Sequence, residues 1–249
     1  MSIHAQAESY ADNAGSYARG RPDYPSAMIT WMQSRTGVKA GDVVIDLGAG
    51  TGKFTRALVN LGLRVTAIEP VEQMRAQLAA ALPEVTAIGG VAQNLEVASA
   101  SADLFTCAQS FHWFADDVAV NEIARVLKPG HFLVLVWNQR DISHPIQSML
   151  EQFLLSHQDP KIPHSPDRRW KPVIDRSPLF EFVEEVRFRH DHELDRSGVV
   201  DRLRSMSVYP ALSPEIQKMA TDEVEALVPP SGSVSLPYFN EAFAYRRVI

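Results

Sequence analysis

The stretch VVIDLGAGTGKFT, from Val43 to Thr55, places three glycines at alternate positions directly after a short apolar run that ends near Asp46. Such a run is typical of a buried strand, and a glycine-rich turn after a strand commonly holds a nucleotide. From this stretch onward, short β-rich runs alternate with helical patterns. The alternation predicts an α/β fold with a mostly parallel sheet and helices on both of its faces.

The predicted cofactor-binding core covers residues 38–138. Its strands are expected over 43–47, 64–68, 85–89, 103–108 and 132–137, and its helices over 53–61, 71–82 and 116–127. The segment EIARVLKPG predicts that the last of these helices ends by Lys128, ahead of Pro129 and Gly130. The strand HFLVLVW is almost entirely apolar, which predicts a position in the centre of the sheet.

The two ends of the chain are expected to complete a single domain, residues 1–249. Residues 1–37 are predicted to form an N-terminal arm and one helix, which begins after Pro25 and stops at Gly37. Residues 139–230 are expected to contribute a substrate cap, with helices over 144–157, 196–207 and 213–228. Strands near 182–193 and 237–247 are predicted to pair at an antiparallel edge, which makes seven strands in all.

The composition excludes several classes of partner. The 249 residues carry a formal net charge of −6 and are 45% hydrophobic, close to the average for globular proteins. No cluster of lysine and arginine indicates a nucleic-acid or anionic membrane surface, and the run FLVLVW is too short to span a bilayer. A small-molecule partner and a cytoplasmic location are expected, and the oligomeric state stays open. The single cysteine, Cys107, is assigned no role.

Three nucleotide-binding templates can be compared with the glycine turn. A phosphate-binding P-loop fails, because Leu47 stands in place of its first glycine and Phe54 in place of its magnesium-binding hydroxyl. The dinucleotide fingerprint is weakened, because Lys53 replaces its third glycine. The pattern Asp-x-Gly-x-Gly-x-Gly fits in full and lets the backbone approach an uncharged nucleoside. Its acid and glycines are Asp46, Gly48, Gly50 and Gly52.

A second acid follows the next predicted strand. The apolar run RVTAIEP ends in Glu69, ahead of Pro70, where an open α/β sheet places the carboxylate that accepts two ribose hydroxyls. Met74, one helical turn further on, either covers an adenine face or packs in the core. Since NAD-binding folds use the same acid, Glu69 indicates an adenosine ligand without selecting the chemistry.

Taken with these residues, three further segments resemble the class I S-adenosylmethionine-dependent methyltransferase family. They are IGGVAQNLEVASASADLFTCAQSFHWF, the leader YARGRPDYP, and EIARVLKPGHFLVLVWNQRD. The glycine turn is similar to motif I of that family, and the leader is similar to that of a subgroup resembling trans-aconitate methyltransferases. The resemblance spans residues 17–141 and implies a Rossmann-like fold that binds S-adenosylmethionine, with no metal.

The resemblance also implies which residues line each side of the site. The cofactor side comprises Tyr17, Arg21, Asp46, Gly48, Ala49, Gly50, Gly52, Glu69, Pro70, Met74, Val91, Ala92, Gln93 and Gln109. The substrate side comprises His112, Trp113 and Arg140. His112 is either a general base or a part of the pocket wall, and Arg21 either pairs with a carboxylate of cofactor or substrate or caps the fold. Because family members often carry an acid at the place of Val91 or Gln93, Gln93 or the backbone at Ala92 has to contact the adenine amino group.

The expected reaction is methyl transfer from S-adenosylmethionine to a small metabolite, on oxygen, nitrogen or a carboxylate, with S-adenosylhomocysteine as product. A module that only binds this cofactor, or a pericyclase on the same fold, fits the same residues. An NAD-dependent oxidoreductase fits them less well, because of Lys53. No zinc-hydrolase or serine-hydrolase motif occurs. In a strand, HDHE at residues 190–193 points its histidines and its acids to opposite faces, which disfavours a metal site.

Overall fold

Seven strands form one sheet in the computed structural model, which describes residues 14–248 apart from a few side chains in the first helix. The strands are β1 Val43–Leu47, β2 Arg64–Ile68, β3 Thr86–Ile88, β4 Ala102–Ala108, β5 Leu127–Arg140, β6 Phe180–Asp195 and β7 Ser233–Arg247. Their order is β3-β2-β1-β4-β5-β7-β6. Strands β1 to β5 are parallel, and β7 is antiparallel to both β5 and β6. The predicted fold class is confirmed, with the antiparallel strand β7 one position in from the edge.

Helices cover both faces of the sheet. They are α1 Ala14–Gly20, α2 Ser26–Thr36, α3 Lys53–Asn60, α4 Glu72–Ala81, α5 Asp117–Val126, α6 Pro145–His157, α7 Lys171–Asp175, α8 Arg196–Arg204 and α9 Pro214–Leu227. As predicted, α2 stops at Gly37, whose left-handed φ of 70° lets its N–H cap the carbonyl of Gln33. In the described part of the chain, no helix has the length and apolar character needed to cross a membrane.

Two predicted boundaries are wrong. Helix α5 ends at Val126 instead of Lys128, and β5 begins at Leu127 instead of residue 132. The reason is that Leu127 pairs with Ala102 of β4 ahead of a register shift, so Pro129 and Gly130 lie inside an irregular strand. The predicted arm contains an additional helix, α1. The strand predicted near 182–193 is confirmed as β6, which pairs with β7 as expected and extends over Phe180–Asp195.

Two hydrophobic clusters pack against the two faces of the sheet, and β5 contributes to both. Its alternate residues Leu133 and Leu135 face one cluster, whereas Val134 and Val136 face the other. This pattern confirms the central position predicted for the strand. Because β1, β2, β4 and β5 are parallel, their carboxyl ends lie at the same edge of the sheet. The residues that follow them are therefore brought close together.

The N-terminal arm and the cap meet over this edge. Helices α6, α8 and α9 pack with β7 around a third hydrophobic cluster. Helix α1 lies on α8, where Arg19 Nε is 2.6 Å from Asp201 Oδ2 and Ser16 Oγ donates to Asp201 Oδ1 over 2.8 Å. A Cβ built on Gly20 would lie 2.5 Å from the backbone nitrogen of Arg202, so only glycine permits this approach.

Candidate functional site

The glycine turn between β1 and α3 takes left-handed backbone at three positions. The φ angles are 69° at Gly48, 59° at Gly50 and 86° at Gly52, which side-chain-bearing residues rarely adopt. A Cβ on Gly48 would lie 2.5 Å from Cβ of Ser110, the residue that follows β4 closely. The turn therefore lies directly against the end of the neighbouring strand, and the backbone N–H groups of Gly48 and Ala49 donate to the carbonyl of Ile68 at the end of β2.

Glu69, at the end of β2, binds the glycine turn. Its side chain accepts hydrogen bonds from the backbone N–H of Gly50 at Oε2, over 2.8 Å, and from that of Val71 at Oε1, over 2.9 Å. The residue is only 5% exposed, and burial raises its pKa even though both backbone donors lower it. A carboxylate has about four acceptor positions. Two of them remain for hydroxyl donors such as those of a vicinal diol.

Asp46, inside β1, is buried below the glycine turn. Thr55 Oγ1 donates to its Oδ2 over 2.7 Å and Thr106 Oγ1 to its Oδ1 over 2.9 Å. Burial raises the pKa of Asp46 to about 6, and the two hydroxyl donors oppose that shift. At neutral pH the group is thus a buried anion with no cation paired to it among the described residues, a suitable partner for an ammonium group.

The predicted adenine edge is formed by separate contacts. The methyl carbon of Met74 lies 3.5 Å from the place of a Cβ on Gly50, so this side chain covers the glycine turn. Val91 forms an isolated bridge with Asn94, and Ala92 is buried in a hydrophobic cluster. Gln93 Nε2 donates to Asp116 Oδ2 over 2.9 Å, which leaves its carbonyl oxygen as the side-chain acceptor.

The segment after β4 is constrained by unusual backbone. Gln109 has a φ of 60°, in the left-handed region that non-glycine residues rarely occupy, and its side chain donates to the carbonyl of Asn138 over 3.2 Å. Such conformations cluster at functional sites. A short 3₁₀ helix, Phe111–Trp113, follows and presents His112 and Trp113 to the cap.

The hydrogen bond from Trp137 determines the protonation of His112. Trp137 Nε1 donates to His112 Nδ1 over 3.1 Å, and an indole nitrogen can only donate. In the neutral ring the proton is therefore on Nε2. Burial, together with the charges of His164 and Arg21, lowers the pKa of His112 to about 3, so the ring is neutral near pH 7. This arrangement offers a hydrogen-bond donor and leaves no nitrogen lone pair free for a general base.

Two cavities meet at the ligand edge, and we name them by what covers them. The loop cavity, about 30 Å³, lies at the glycine turn, and the cap cavity, about 360 Å³, lies beyond it under the cap. They share the lining residues Arg21, Gln109 and Asn138. The predicted residues Asp46, Gly48, Ala49 and Gly50 line the loop cavity, and His112, Trp113 and Arg140 line the cap cavity.

Other predicted residues are not among those that line either cavity. They include Glu69, Met74, Val91, Ala92 and Gln93. Gly52 packs toward Leu78, since a Cβ there would be 2.9 Å from that side chain. Pro70 is half-buried beside Glu69. The side chain of Tyr17 lies outside the described residues. No group of three or more His, Cys, Asp or Glu side chains within residues 14–248 is placed to hold a metal ion.

Sequence reasoning missed Arg202, a buried arginine of the cap that lines the loop cavity. Its side chain is 1% exposed and donates from Nε to the Tyr238 hydroxyl over 2.9 Å and from Nη1 to Ser205 Oγ over 3.2 Å. Burial lowers its pKa to about 10, so the guanidinium stays charged near pH 7. It pairs with no carboxylate among the residues that the structure describes. Arg21 lies near it, with Nη2 donating to the Ser205 carbonyl over 2.8 Å.

Sequence reasoning also missed the acid that holds Arg140 in the cap cavity. Arg140 Nε is 2.9 Å from Glu151 Oε2, and His164 Nε2 is 3.2 Å from Glu151 Oε1. Burial raises the pKa of Glu151, but the hydrogen bond from His164 and the charge of Arg140 outweigh burial and lower the pKa to about 2. No local signal marks Arg202 or Glu151, because each acquires its role only from distant segments.

Comparison with known proteins shows what the central part of the chain is similar to. Residues 45–135 match the family model described as a methyltransferase domain. An uncharacterized methyltransferase of Mycobacterium tuberculosis is 44% identical over 133 residues, which is 53% of this chain and 53% of that protein. The chain thus spans about half the length of the curated relatives that it matches.

Solved structures share the fold at low identity. A candidate type II methyltransferase of Anaeromyxobacter dehalogenans superposes with a TM-score of 0.69 at 21% identity, covering 92% of this chain and 98% of that one. A phosphoethanolamine N-methyltransferase of Haemonchus contortus, in complex with phosphomonomethylethanolamine and S-adenosylhomocysteine, superposes with a TM-score of 0.59 at 14% identity. That match covers 100% of this chain and 61% of the other.

Proposed function

We propose that this chain, which carries a methyltransferase domain of the class I fold, transfers a methyl group from S-adenosylmethionine to a small molecule bound in the cap cavity. The observation that carries the proposal is the buried Glu69 carboxylate, held against the glycine turn with acceptor positions left for a diol. The loop cavity and the cap cavity share lining residues. A donor at the turn and an acceptor under the cap would therefore be neighbours.

Each part of the cofactor has a suitable partner in the chain. Glu69 accepts the ribose hydroxyls, Met74 covers the adenosine, and the Gln93 carbonyl oxygen accepts from the adenine amino group. At the amino-acid end of the cofactor, the buried Asp46 attracts the ammonium group, and the guanidinium of Arg202 pairs with the carboxylate group. Two charges of opposite sign at the loop cavity thus match a zwitterionic amino acid.

The bound cofactor supplies a methyl group on a positively charged sulfur, and the bond from methyl carbon to sulfur breaks as the acceptor atom bonds to the carbon. The residues of this chain hold the acceptor in line and exclude water, and positioning of this kind supplies roughly 7 to 11 kcal/mol in favourable cases. His112 donates from Nε2 to the acceptor molecule and orients it. No general base is assigned.

Calorimetry on the full chain tests the cofactor assignment. Wild type is expected to bind S-adenosylmethionine and S-adenosylhomocysteine and not NAD. Glu69→Ala should weaken both by roughly a hundredfold, because two hydrogen bonds to a charged group are lost. Glu72→Ala, which removes an exposed acid from the first turn of α4, is the matched control and should bind normally. Binding of NAD instead would overturn the proposal.

Methyl transfer itself is tested with methyl-labelled cofactor and a broad metabolite extract. A labelled product that depends on the protein and is lost in Glu69→Ala is expected. If the cofactor binds but no extract yields a labelled product, the chain is a binding module or a pericyclase, and the transferase assignment fails.

A further inference from the structure

We propose that the outer edge of β6 binds the same edge of a second copy of this chain. The two β6 strands run antiparallel about a two-fold axis at His190, and their sheets join into one. The inference goes beyond methyl transfer and does not depend on it. It is carried by the open backbone of the strand, by the charges on its exposed face, and by the order of those charges.

The outer edge of β6 has no backbone partner in the described part of the chain. The strand lies at the end of the sheet and pairs only with β7. No backbone hydrogen bond from a described loop or helix reaches residues 184–194. The register with β7 runs without a shift over these residues, so the open edge is about 35 Å long. Such a row of N–H and C=O groups is a template for another strand.

β6 lacks most of the devices that protect a strand edge. Edge strands are commonly short, or carry lysine, proline or a bulge. Residues 184–195 contain no lysine and no proline, and the irregularity of the strand lies before them, between Phe182 and Glu184. β6 is 16 residues long, whereas about five or six residues are typical. The edge is therefore long and regular as well as open.

One face of β6 is exposed and carries only charged side chains. Beyond the irregularity, the residues alternate between exposed positions and more buried ones. Every exposed residue from 185 to 195 is charged, and both signs occur. These residues are Glu185, Arg187, Arg189, Asp191, Glu193 and Asp195. Charges of a single sign would keep a second copy away, but this order allows attraction.

The four central charges of this face can bind a partner. Arg187 is 55% exposed and Arg189 is 66% exposed, and the nearest carboxylate oxygens of their ion pairs are 3.7 Å and 3.9 Å away. Asp191 and Glu193 form no ion pair within residues 14–248. Close contact with opposite charges on a second copy would therefore add to the ion pairs of the single chain.

These charges match their own reverse order. Two antiparallel strands related by a two-fold axis present the same face, so each register is centred on one residue. With the centre at His190, Arg189 lies opposite Asp191 of the second copy, and Arg187 lies opposite its Glu193. The symmetry repeats both pairs. The register thus gives four contacts between opposite charges, which stabilise antiparallel strand pairs.

Neighbouring registers are less favourable. Centres at 187, 189 and 191 set a charged residue opposite its own copy. Centres at 188 and 192 set the two arginines, or the two acids, opposite each other. A centre at 186 gives two contacts between opposite charges in place of four. Like charges directly opposite each other are destabilising, so the centre at His190 is preferred.

The one like-charge pair in the preferred register lies at its ends. It sets Glu185 opposite Asp195, and each of them is bound within its own chain. Arg168 Nη2 is 2.7 Å from Glu185 Oε1, and Asp195 accepts a hydrogen bond from the N–H of Gly198 at the start of α8. The repulsion between these ends is therefore reduced.

Sedimentation velocity on the full chain tests the dimer. A species of twice the 27.7 kDa mass of the chain is expected to increase with protein concentration. High salt should weaken it, because contacts between exposed charges are screened. A monomer at every concentration up to the solubility limit overturns the proposal.

Charge reversal tests the contacts themselves. One variant combines Arg187→Glu with Arg189→Glu, and the other combines Asp191→Lys with Glu193→Lys. Each should raise the dissociation constant of the dimer at least about tenfold, because four attractive contacts become repulsive. An equimolar mixture should regain the affinity of wild type, because each strand then meets opposite charges. Recovery in the mixture also shows that both variants fold.

The matched control is Lys39→Glu combined with Lys218→Glu. It changes the net charge as much as the arginine variant, at exposed positions outside β6, and it should dimerise like wild type. A dimer as tight as that of wild type in either reversed variant alone, or no recovery in their mixture, overturns the proposal.

Spin-label distances test the register and leave the four contacts in place. Labels are attached at Glu185→Cys and, separately, at Asp195→Cys, since the native Cys107 is 0% exposed. Both sites are five residues from His190, so the label on one copy should lie about 34 Å from the label on the other at each site. A register moved by one centre would make the two distances differ by about 14 Å. Unequal distances, or no measurable distance, overturn the proposal.

Discussion

Trp137 and His112 show that a neighbour can decide the chemistry of a side chain. An isolated histidine titrates near neutrality and can serve as a base. Here the indole N–H occupies Nδ1, and burial lowers the pKa of His112 to about 3. The remaining ring nitrogen carries a proton, so the group that faces the cap cavity is a donor.

Glutamine is expected to replace His112 better than alanine, because its amide retains an N–H donor. His112→Gln should keep kcat/KM within about tenfold of wild type, whereas His112→Ala should lose about ten- to a hundredfold. The pH profile of kcat/KM should show no inflection from His112 between pH 5.5 and 8. His157→Gln, an exposed site, is the control. If both substitutions at His112 inactivated the enzyme equally, and if kcat/KM of wild type fell at acidic pH while that of the variants did not, His112 would instead be a base.

Asp46 should bind cofactor at a cost to stability. Burial raises its pKa to about 6, so Asp46 is ionised at pH 7, and its buried charge without a paired cation lowers the stability of the fold. Asp46→Asn is expected to weaken S-adenosylhomocysteine binding about tenfold without lowering the melting temperature at pH 7. Asp103→Asn is the contrast, since Asp103 is 2.6 Å from Lys128 at the opposite edge and its pKa is lowered. It should lower the melting temperature and leave binding unchanged. Calorimetry and thermal melting check both.

Among the elements, α1 leads into the segment that lines one side of the loop cavity. That cavity, about 30 Å³, has the volume of roughly one water molecule. It is lined by Arg21, which directly follows α1, and by Arg202 of α8. A nucleoside is larger than this volume, so we expect the arm to move away from the cap when a nucleoside binds.

A bulkier residue at Gly20 should loosen the arm. In Gly20→Ala the new Cβ would meet the Arg202 backbone at 2.5 Å, and overpacking of this kind costs about 1 to 3 kcal/mol. Dissociation of S-adenosylhomocysteine, measured by stopped-flow displacement, should become about five- to tenfold faster. The control is Gly15→Ala, the same substitution in the same helix. Its Cβ would meet only the Arg19 side chain, at 3.5 Å. Equal rates in both variants would contradict a gating arm.

The core elements were predicted with boundaries close to those observed, because their signals are local. β1 and β2 coincide with the predicted ranges 43–47 and 64–68, each an apolar run followed by a turn or an acid. The errors occur where contacts between residues far apart in the sequence set the bounds or the existence of an element. The start of β5 is set by pairing of Leu127 with β4, and α1 packs against Asp201, far along the chain.

At the scale of the whole molecule, buried histidines should make the fold sensitive to acid. Burial lowers the pKa of His112 to about 3 and of His192 to about 4, whereas both titrate near 6.5 in the unfolded chain. Between these values the unfolded state binds more protons, so the free energy of unfolding falls as the pH falls below 6.5. Each histidine contributes about 1 to 2 kcal/mol of this loss at pH 5.

Urea unfolding at pH 7.5, 6 and 5 measures the effect. Asp46 acts in the opposite sense, because its pKa of about 6 exceeds the unfolded value and the folded state gains its proton first. His192→Gln removes the contribution of His192 to this pH dependence. The free energy of unfolding should therefore fall less between pH 7.5 and 5 in this variant than in wild type. The exposed His157→Gln should lose as much as wild type. An unchanged loss in His192→Gln would refute the assignment.

The sequence by itself determined the parallel core, the glycine turn and the acid at the end of β2. These features depend on residues close in the chain, whose periodicity and backbone preferences are visible in the letters. Only the tertiary structure decided that Arg202 lines the cavity at the glycine turn, that Glu151 faces Arg140, and that the hydrogen bond from Trp137 to Nδ1 of His112 leaves the ring proton on Nε2. Those outcomes depend on burial and on hydrogen bonds between segments far apart in sequence, which no local pattern encodes.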